Sequence, residues 1–314
     1  MIITTPNLSI LITAVNTAWL NAYSEAPSDE LMQFVSDIPS GTGSEIYPFV
    51  AEIPQLREWV GNRQVQDLAT YDYTLQNKDY ELTLKLDRNK VLDDQYGVWM
   101  QTMVPMIARN AKRKPALLVR DALQAGSSTL CYDGVNFFSA SHPVSKFPGG
   151  GFSGVTQRNL WTSKALTFDN YRDVRAAMMS FRGESGERLG VMPDTLVVPP
   201  QLEAQARLIL NADMIAGQTI GGITNVGGYT NPFKGSARLV VAPDLAGEEG
   251  TWYLFDTSKP IKPIIYQRRQ EPIVVAQFNP SDESVFSRKE FTWGVDMRGA
   301  AGYALWFLAA KASA

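Results

Sequence analysis

The sequence predicts an α+β fold, and three observations support this prediction. Residues 80–87 alternate strictly between apolar and polar side chains, which is the pattern of a half-buried strand. Residues 96–111 place apolar side chains at spacings of three and four, which is the pattern of an amphipathic helix. Further strand-like and helix-like stretches follow to residue 308, and an apolar content of 45% over 314 residues is enough for a packed core.

The composition argues against several classes of protein. A net charge of −3 does not suit a protein whose main task is to neutralise phosphates. One cysteine excludes an internal disulfide framework and a multi-cysteine zinc site. The apolar run at 8–15 has no preceding Lys or Arg, and no run reaches the roughly twenty apolar residues of a membrane span. We therefore expect a soluble chain without a secretory signal.

The N-terminal region predicts an arm helix at 8–23. Its apolar stripe includes Leu11, Val15 and Trp19, and Asn7 is available as its cap. Residues 24–44 are interrupted by proline and glycine, so they predict an irregular connector that lies outside the core.

The strand at 80–87 is predicted to form a hairpin with a preceding strand at 71–75. Residues 76–79 are polar and suit the connecting loop. One side of this hairpin would present tyrosine and leucine side chains that need a cover. Another chain is a candidate for that cover.

Residues 96–126 predict a long central helix of roughly thirty residues. Pro105 should kink the helix, Pro115 should restart it, and Gly126 should end it. Four basic residues lie between 109 and 114, and a solvated helix end is favoured over contact with nucleic acid.

The rest of the chain predicts two more helices and several short strands. Thr167 should cap a helix that Gly183 ends, and a buried strand at 195–198 should lead into a second helix at 202–210. A glycine-rich surface loop is predicted at 217–235. The predicted later strands are 239–241, 252–255, 261–266, 286–295 and 303–308.

Cys131 and His142 are the only residues that suggest catalysis, because a Cys-His pair can supply a thiolate nucleophile. The sequence shows no third catalytic group and no oxyanion site, so a structural role is favoured and a Cys/His hydrolase is the alternative. The glycine runs at 149–151 and 221–222 lack phosphate-loop spacing. Acidic residues at 87, 93 and 94 fit helix N-termini better than a metal site. No catalytic residue, metal or cofactor is expected.

Five short motifs stand in order along the chain. They are REWVGNR at 57–63, NKDYE at 77–81, DDQYG at 93–97, CYDGVNFF at 131–138 followed by His142 and Pro143, and YALW at 303–306. Together they resemble the major head subunit of Mu-like phages and prophages. Each motif is weak alone, but in order they cover most of the chain; residues 217–232 match nothing in the family.

This resemblance implies the HK97-like capsid fold. The expected parts are an N-terminal arm (1–50), an E-loop hairpin (51–92), a peripheral domain with a spine helix (93–190), an axial domain (191–268) and return strands of the peripheral domain (269–314). The expected function is structural: hexamers and pentamers that tile an icosahedral shell around double-stranded DNA. Another virion or tail protein is a further alternative.

The resemblance also implies partners and contact residues. The expected partners are copies of the chain itself, a separate scaffolding or protease protein, a portal and packaged DNA, in a virion assembled in the host bacterial cytoplasm, with no membrane. The residues predicted for subunit contact are Leu11, Val15, Trp19, Trp59, Tyr71, Tyr73, Tyr80, Leu82 and Leu84. The residues that could face DNA are Arg109, Lys112, Arg113 and Lys114.

Overall fold

The computed structural model describes residues 5–50, 70–93, 102–144, 155–183, 186–215, 219–220, 223–224, 229–279 and 281–314. Its helices are α1 (Thr5–Glu25), α2 (Arg88–Leu92), α3 (Val104–Ala125), α4 (Phe168–Met179), α5 (Glu203–Asn211) and α6 (Glu283–Arg288). None of the helices within these ranges is long and apolar enough to cross a membrane.

Seventeen strands are assigned within the described ranges. They are β1 (Val35–Pro39), β2 (Ser44–Val50), β3 (Thr70–Gln76), β4 (Lys78–Asp87), β5 (His142–Pro143), β6 (Thr156–Gln157), β7 (Leu160–Trp161), β8 (Thr195–Val198), β9 (Met214–Ile215), β10 (Thr219–Ile220), β11 (Ile223–Thr224), β12 (Tyr229–Thr230), β13 (Arg238–Val241), β14 (Thr251–Phe255), β15 (Ile264–Gln277), β16 (Glu290–Tyr303) and β17 (Ala309–Ser313).

Two sheets organise the fold. The first, in the order β1-β15-β16-β4, is built on the long antiparallel pair β15 and β16. The second has the order β13-β8-β14-β17-β7. The remaining strands form short two-stranded ladders: β2 with β3, β5 with β6, β9 with β12, and β10 with β11. Helices and strands are therefore mixed without regular alternation, which confirms the predicted α+β class.

The four-stranded sheet carries α1 and α3 against it. Val15 and Trp19 of α1 are buried in one apolar cluster with Ile107 of α3 and Trp293 of β16. The Trp19 and Trp293 rings meet edge to face with centroids 6.1 Å apart, an arrangement that aromatic pairs favour. This confirms the predicted arm helix, although the helix starts at Thr5, so Asn7 is inside it and is not its cap.

The five-stranded sheet lies in a second, larger cluster to which α4, α5 and the C-terminal half of α3 contribute. Thr167 caps α4 by accepting a hydrogen bond from the Asn170 N–H at 3.2 Å, as the sequence predicts. The helix ends at Met179, before Gly183. The buried strand β8 and the helix α5 that follows it are also confirmed.

The predicted hairpin between residues 71–75 and 80–87 is wrong. β3 pairs with β2, and β4 pairs with β16 in the four-stranded sheet. Only Asn77 separates the two strands, and its buried side-chain amide donates to Ser40 Oγ and to the Thr42 carbonyl, each at 2.9 Å. These bonds fix the chain where it passes from one ladder to the other. Strand alternation shows which side of a strand is buried, but it does not identify the partner strand.

The prediction that residues 24–44 lie outside the core is also wrong. Leu31 and Phe34 are buried, and Phe34 stacks on Phe255 with a centroid distance of 4.7 Å. Asp29 starts the turn that carries them by accepting a hydrogen bond from the Leu31 N–H at 3.0 Å. β1 then joins the sheet at its edge, where Pro39 is tolerated because an edge strand has one free side.

The central helix is continuous where a break at Pro115 is predicted. Pro115 lies inside α3, and Pro105 lies in its first turn, where proline is tolerated, so neither interrupts it. Gly126 does end the helix, and a Cβ there would lie 2.6 Å from Cδ2 of Phe138. The predicted start of this helix at Tyr96, Trp99 and Met100 lies outside the described residues.

The strands near the C-terminus are shifted from their predicted positions. Phe286 lies in α6 and not in a strand. The strand starts later than predicted because Lys289 adopts a left-handed conformation with φ 57°, which ends α6 before β16 starts. Residues 306–308 form a short helical turn, and the strand follows at Ala309–Ser313. The predicted strands at 239–241 and 252–255 are confirmed, and the strand predicted at 261–266 starts three residues later, at Ile264 of β15.

Candidate functional site

Cys131 and His142 belong to a buried polar cluster in which Asp133 lies between them. The Cys131 thiol donates to Asp133 Oδ1 at 3.1 Å, and His142 Nδ1 lies 2.6 Å from Asp133 Oδ2. His142 Nε2 lies 3.1 Å from Asn159 Oδ1. The imidazole also stacks on Trp306, with centroids 4.2 Å apart and planes 5° from parallel. Four segments of the chain therefore meet at one ring.

The hydrogen bonds of Asn159 set the protonation of this ring. The Asn159 amide nitrogen donates to the Phe137 carbonyl at 2.7 Å and to the Trp306 carbonyl at 3.1 Å. Asn159 Oδ1 also accepts from the Ser139 N–H at 2.8 Å, so this oxygen faces His142 as an acceptor. Both ring nitrogens of His142 therefore donate, and the imidazolium is paired with the Asp133 carboxylate.

The same arrangement prevents a thiolate nucleophile. Burial raises the pKa of the Cys131 thiol, and the Asp133 charge raises it further. Burial by itself would raise the pKa of Asp133. The pKa is nevertheless lowered overall, because His142 contributes a hydrogen bond and a charge, and Cys131 and the Val135 N–H contribute further hydrogen bonds. The carboxylate therefore stays ionised, and the thiol stays protonated. Both ring nitrogens are already used as donors, so His142 is not available as a base for Cys131.

The space beside the cluster is small. A cleft of about 30 Å³ borders Asp133 and Trp306. Because one water molecule needs roughly 10–15 Å³, this cleft is only a few water molecules in size. Within the described part of the chain, Cys131, Asp133 and His142 form a group that could hold a metal ion, because their ligating atoms lie within 4.8 Å of one another. All three are hydrogen-bonded, and the carboxylate balances the imidazolium, so the cluster is satisfied without an ion. The chemistry of this arrangement is that of a structural crosslink.

Sequence reasoning missed two members of this cluster. In the sequence, Asp133 is singled out only as part of the motif at 131–138, and the backbone turns beside it at the left-handed Gly134 (φ 81°). Asn159 carries no local signal, because its partners are contributed by residues 137, 139, 142 and 306. Asp87, considered for a metal site, instead accepts from the backbone N–H of Asn89 at 2.8 Å at the start of α2.

Two of the arm residues predicted for subunit contact, Val15 and Trp19, are packed inside the chain. Val15 is 1% exposed and Trp19 is 2% exposed, both against α3 and the four-stranded sheet. The Leu11 side chain and Trp59 lie outside the described residues. A contact role for these four residues stays a prediction.

Most of the predicted hairpin row is also covered by the chain itself. Tyr71 is buried beside Tyr132, with ring centroids 5.5 Å apart. Tyr73 and Tyr80 are half-buried against the larger cluster, and Leu84 packs against the cluster that contains Trp19. Leu82 is the member that remains exposed, at 40%.

The four basic residues of α3 that were predicted to face DNA point in different directions. Arg113 forms ion pairs with Asp244 and, at 3.8 Å, with Asp29. Lys112 lies 4.6 Å from the centroid of the Tyr23 ring, and Lys114 lies 4.4 Å from that of Tyr80. Arg109 is exposed and lines a cleft of about 600 Å³ together with Arg113. The predicted contact with DNA stays a prediction, and the side chains do not share one face.

The comparison with known families decides between the alternatives. The Mu-like prophage major head subunit gpT matches residues 8–160, 149–245 and 244–314. The chain belongs to this family. The FluMu prophage major head subunit of Haemophilus influenzae is 26% identical over 306 residues, which cover 97% of this chain and 73% of that protein. The major capsid protein of Escherichia phage Mu is 26% identical over 309 residues, 98% of this chain and 74% of that protein.

A solved structure is similar over nearly the whole head subunit. A chain of the procapsid of bacteriophage JBD30 covers 99% of this chain and 76% of its own length, with 28% sequence identity and a TM-score of 0.61. The fold of this Mu-like head subunit is therefore the HK97-like capsid fold, as the resemblance implies. The family is one of structural capsid proteins and not of enzymes. These findings support the structural role of Cys131 and His142 and not the hydrolase alternative.

Proposed function

We propose that this head subunit forms hexamers and pentamers that close into an icosahedral shell around double-stranded DNA. The observation that carries the proposal is the match to the Mu-like head-subunit family along residues 8–314, together with the similarity to the JBD30 procapsid chain over 99% of this chain. Self-assembly into a capsid needs large surfaces that a neighbouring copy can cover. The described residues offer such surfaces on α1 and on the four-stranded sheet, where Leu82, Ile273 and Val275 are exposed.

The outward side of α1 is the first of these surfaces. Ile10 is 64% exposed and Leu20 is 63% exposed, on the side of the helix opposite Val15 and Trp19. No charged residue occurs in α1 before Glu25. An uncharged helix with one apolar side buried and another exposed is typical of a helix that packs between two bodies. We propose that a neighbouring subunit covers this side.

The sheets suggest how the parts of a capsid subunit map onto this chain. The β2–β3 ladder, whose strands flank residues 51–69, is our candidate for the E-loop. The four-stranded sheet with α1 and α3 is the candidate peripheral domain, and the five-stranded sheet with α4 and α5 is the candidate axial domain. This assignment moves β7, α4 and β17 out of the predicted peripheral domain, and it moves residues 264–268 of β15 out of the predicted axial domain.

The partners are part of the same proposal. A separate scaffolding or protease protein and a portal would take part in assembly in the host bacterial cytoplasm, and the finished capsid would hold DNA without sequence preference. The net charge of −3 suits an enclosing wall better than a DNA-condensing protein, because a condensing protein needs a concentrated basic surface.

Electron microscopy of the purified chain tests the proposal. We expect closed, roughly spherical shells; rings or tubes without closure would favour a different virion or tail component. Leu20→Asp should prevent shell formation while leaving the far-UV circular dichroism spectrum unchanged. The control Gln201→Asp places the same charge on an exposed polar position outside α1 and should still form shells.

A further inference from the structure

Phe286 is held in an unusual position for a large apolar side chain. At 84% exposed, it has the highest exposure of the large apolar residues in the described ranges. It projects from α6, whose neighbouring residue Val285 is buried together with Phe278 in the cluster below. The Phe278 and Phe291 rings pack with centroids 5.1 Å apart, which anchors the chain on both sides of α6. Phe286 is therefore an exposed ring on a fixed base.

An apolar groove lies elsewhere on the same sheet, between β4, β16 and α3. Its volume is about 270 Å³, whereas an apolar cavity of roughly 150 Å³ is enough to bind a benzene ring. The groove is therefore large enough for one aromatic side chain and part of its surroundings. Its apolar lining residues are Leu82, Ile107, Ala111, Leu117, Val295 and Met297.

The geometry of β16 prevents Phe286 from filling the groove of its own chain. β16 starts at Glu290, next to α6, and reaches the groove at Val295 and Met297. At about 3.3 Å per residue, a strand of this length separates the two features by roughly 20 Å. The ring and the groove are therefore available at the same time on one subunit.

The charges around the two features are complementary. Glu283 is exposed beside Phe286, and Lys114 borders the groove. An approach that pairs Glu283 with Lys114 brings opposite charges together. Such complementarity favours one orientation over others.

We infer that Phe286 of one subunit inserts into the groove between β4, β16 and α3 of a second copy. This inference rests on the proposed self-assembly and adds a specific contact to it. The two surfaces are different, so the contact is head-to-tail, and repeating it closes a ring when the rotation allows. A buried aromatic anchor of this kind is typical of the few residues that dominate an interface.

Engineered disulfides test the contact directly. The natural Cys131 is buried, so cysteines introduced at positions 286 and 82 can be oxidised without it. In the double variant Phe286→Cys/Leu82→Cys, oxidation of assembled shells should give covalent multimers larger than dimers on a denaturing gel. Each single variant has one new cysteine and should give dimers at most. Met192→Cys, at a 53% exposed position away from both features, is the matched control and should stay monomeric on the gel.

A second measurement covers the case in which the cysteines themselves weaken the contact. Phe286→Ala should keep the circular dichroism spectrum and raise the concentration at which shells form by about tenfold or more, because an anchor residue is lost. Met192→Ala should leave that concentration unchanged.

The outcomes separate the contact from the proposed function. Oxidised shells of the double variant that yield only monomers and dimers overturn the inference and leave shell formation intact. Normal shell formation by Phe286→Ala also overturns the inferred contact. The same holds if this variant forms normal shells and loses only the binding of a different protein. Failure of the unaltered chain to form shells overturns the proposed function instead.

Discussion

Replacing Asp133 by Asn removes the central acceptor of the buried cluster. The carboxylate accepts from His142 Nδ1, from the Cys131 thiol and, at 3.0 Å, from the Val135 N–H. An amide has one acceptor oxygen in place of two, so at least one donor loses its partner, and the His142 imidazolium loses its counter-charge. Removing one member of a buried ion pair costs about 3 to 5 kcal/mol of unfolding free energy.

This magnitude predicts a measurable fall in melting temperature. With roughly 2.1 cal/mol/K of unfolding entropy per residue, 314 residues give about 0.66 kcal/mol/K. Asp133→Asn should therefore lower the melting temperature of the unassembled subunit by about 5 to 8 °C. Scanning calorimetry at pH 7 measures it. The control Cys131→Ser keeps a donor opposite Asp133 and should cost only about 1 kcal/mol.

The pH dependence of this effect has a definite sign. The pKa of Asp133 is lowered in the folded chain from an ordinary value of 3.8. The stability that the carboxylate contributes is therefore fully present above pH 3.8 and is lost as the pH falls through the lowered folded pKa. The difference in melting temperature between Asp133→Asn and the unaltered chain should therefore shrink as the pH falls below 3.8. An Asp133→Asn subunit that melts within 1 °C of the Cys131→Ser control at pH 7 would refute the reasoning.

Four other substitutions have defined outcomes. Trp19→Ala should cost about 3 to 5 kcal/mol in urea unfolding of the unassembled subunit, because it opens the packing against Trp293; an unchanged midpoint with loss of shells would instead place Trp19 at a subunit contact. Gly126→Ala should lower the free energy of unfolding by about 1 to 3 kcal/mol, because its Cβ would lie 2.6 Å from Cδ2 of the Phe138 ring. A melting temperature equal to that of the unaltered chain would contradict this. Leu84→Ser should lower the free energy of unfolding of the subunit by about 1 to 3 kcal/mol. Leu82→Ser, at a 40% exposed position, should affect assembly more than the urea midpoint. A urea midpoint that is lower for Leu82→Ser than for Leu84→Ser would be evidence against the packing described.

The sequence predicted the elements whose signals are local. The stripe with Val15 and Trp19 predicted α1, and the hydroxyl of Thr167 predicted the start of α4. These patterns depend on neighbours within one or two helical turns, so the printed residues are sufficient. The short motifs also identified the family, because their order along the chain is itself information.

The errors arose where distant segments decide the outcome. The alternation in β4 is real, but its partner β16 is about 200 residues away, with Leu84 opposite Trp293. Phe34 looked like part of a connector because its partner Phe255 comes from the other end of the chain. The tyrosines and leucines of the predicted hairpin looked uncovered for the same reason, so residues assigned to subunit contacts are mostly packed within the subunit.

Pro115 shows a different limit. Proline removes one backbone donor and disfavours a helix interior. α3 nevertheless runs through it, with Ala116, Leu118 and Val119 buried immediately afterwards. The packing of these side chains outweighs a local preference that was read correctly from the sequence.

The strand order of the two sheets has a consequence for the order in which the subunit can fold. β16 lies between β15 and β4, and β17 lies between β14 and β7, so neither sheet is complete until residues 290–313 have been added to the chain. Before that point β4 and β14 lack these neighbours. Sheets closed by such distant segments form slowly. A growing chain therefore becomes competent for assembly only after both of these strands have joined their sheets, which limits contact between unfinished subunits and a growing shell.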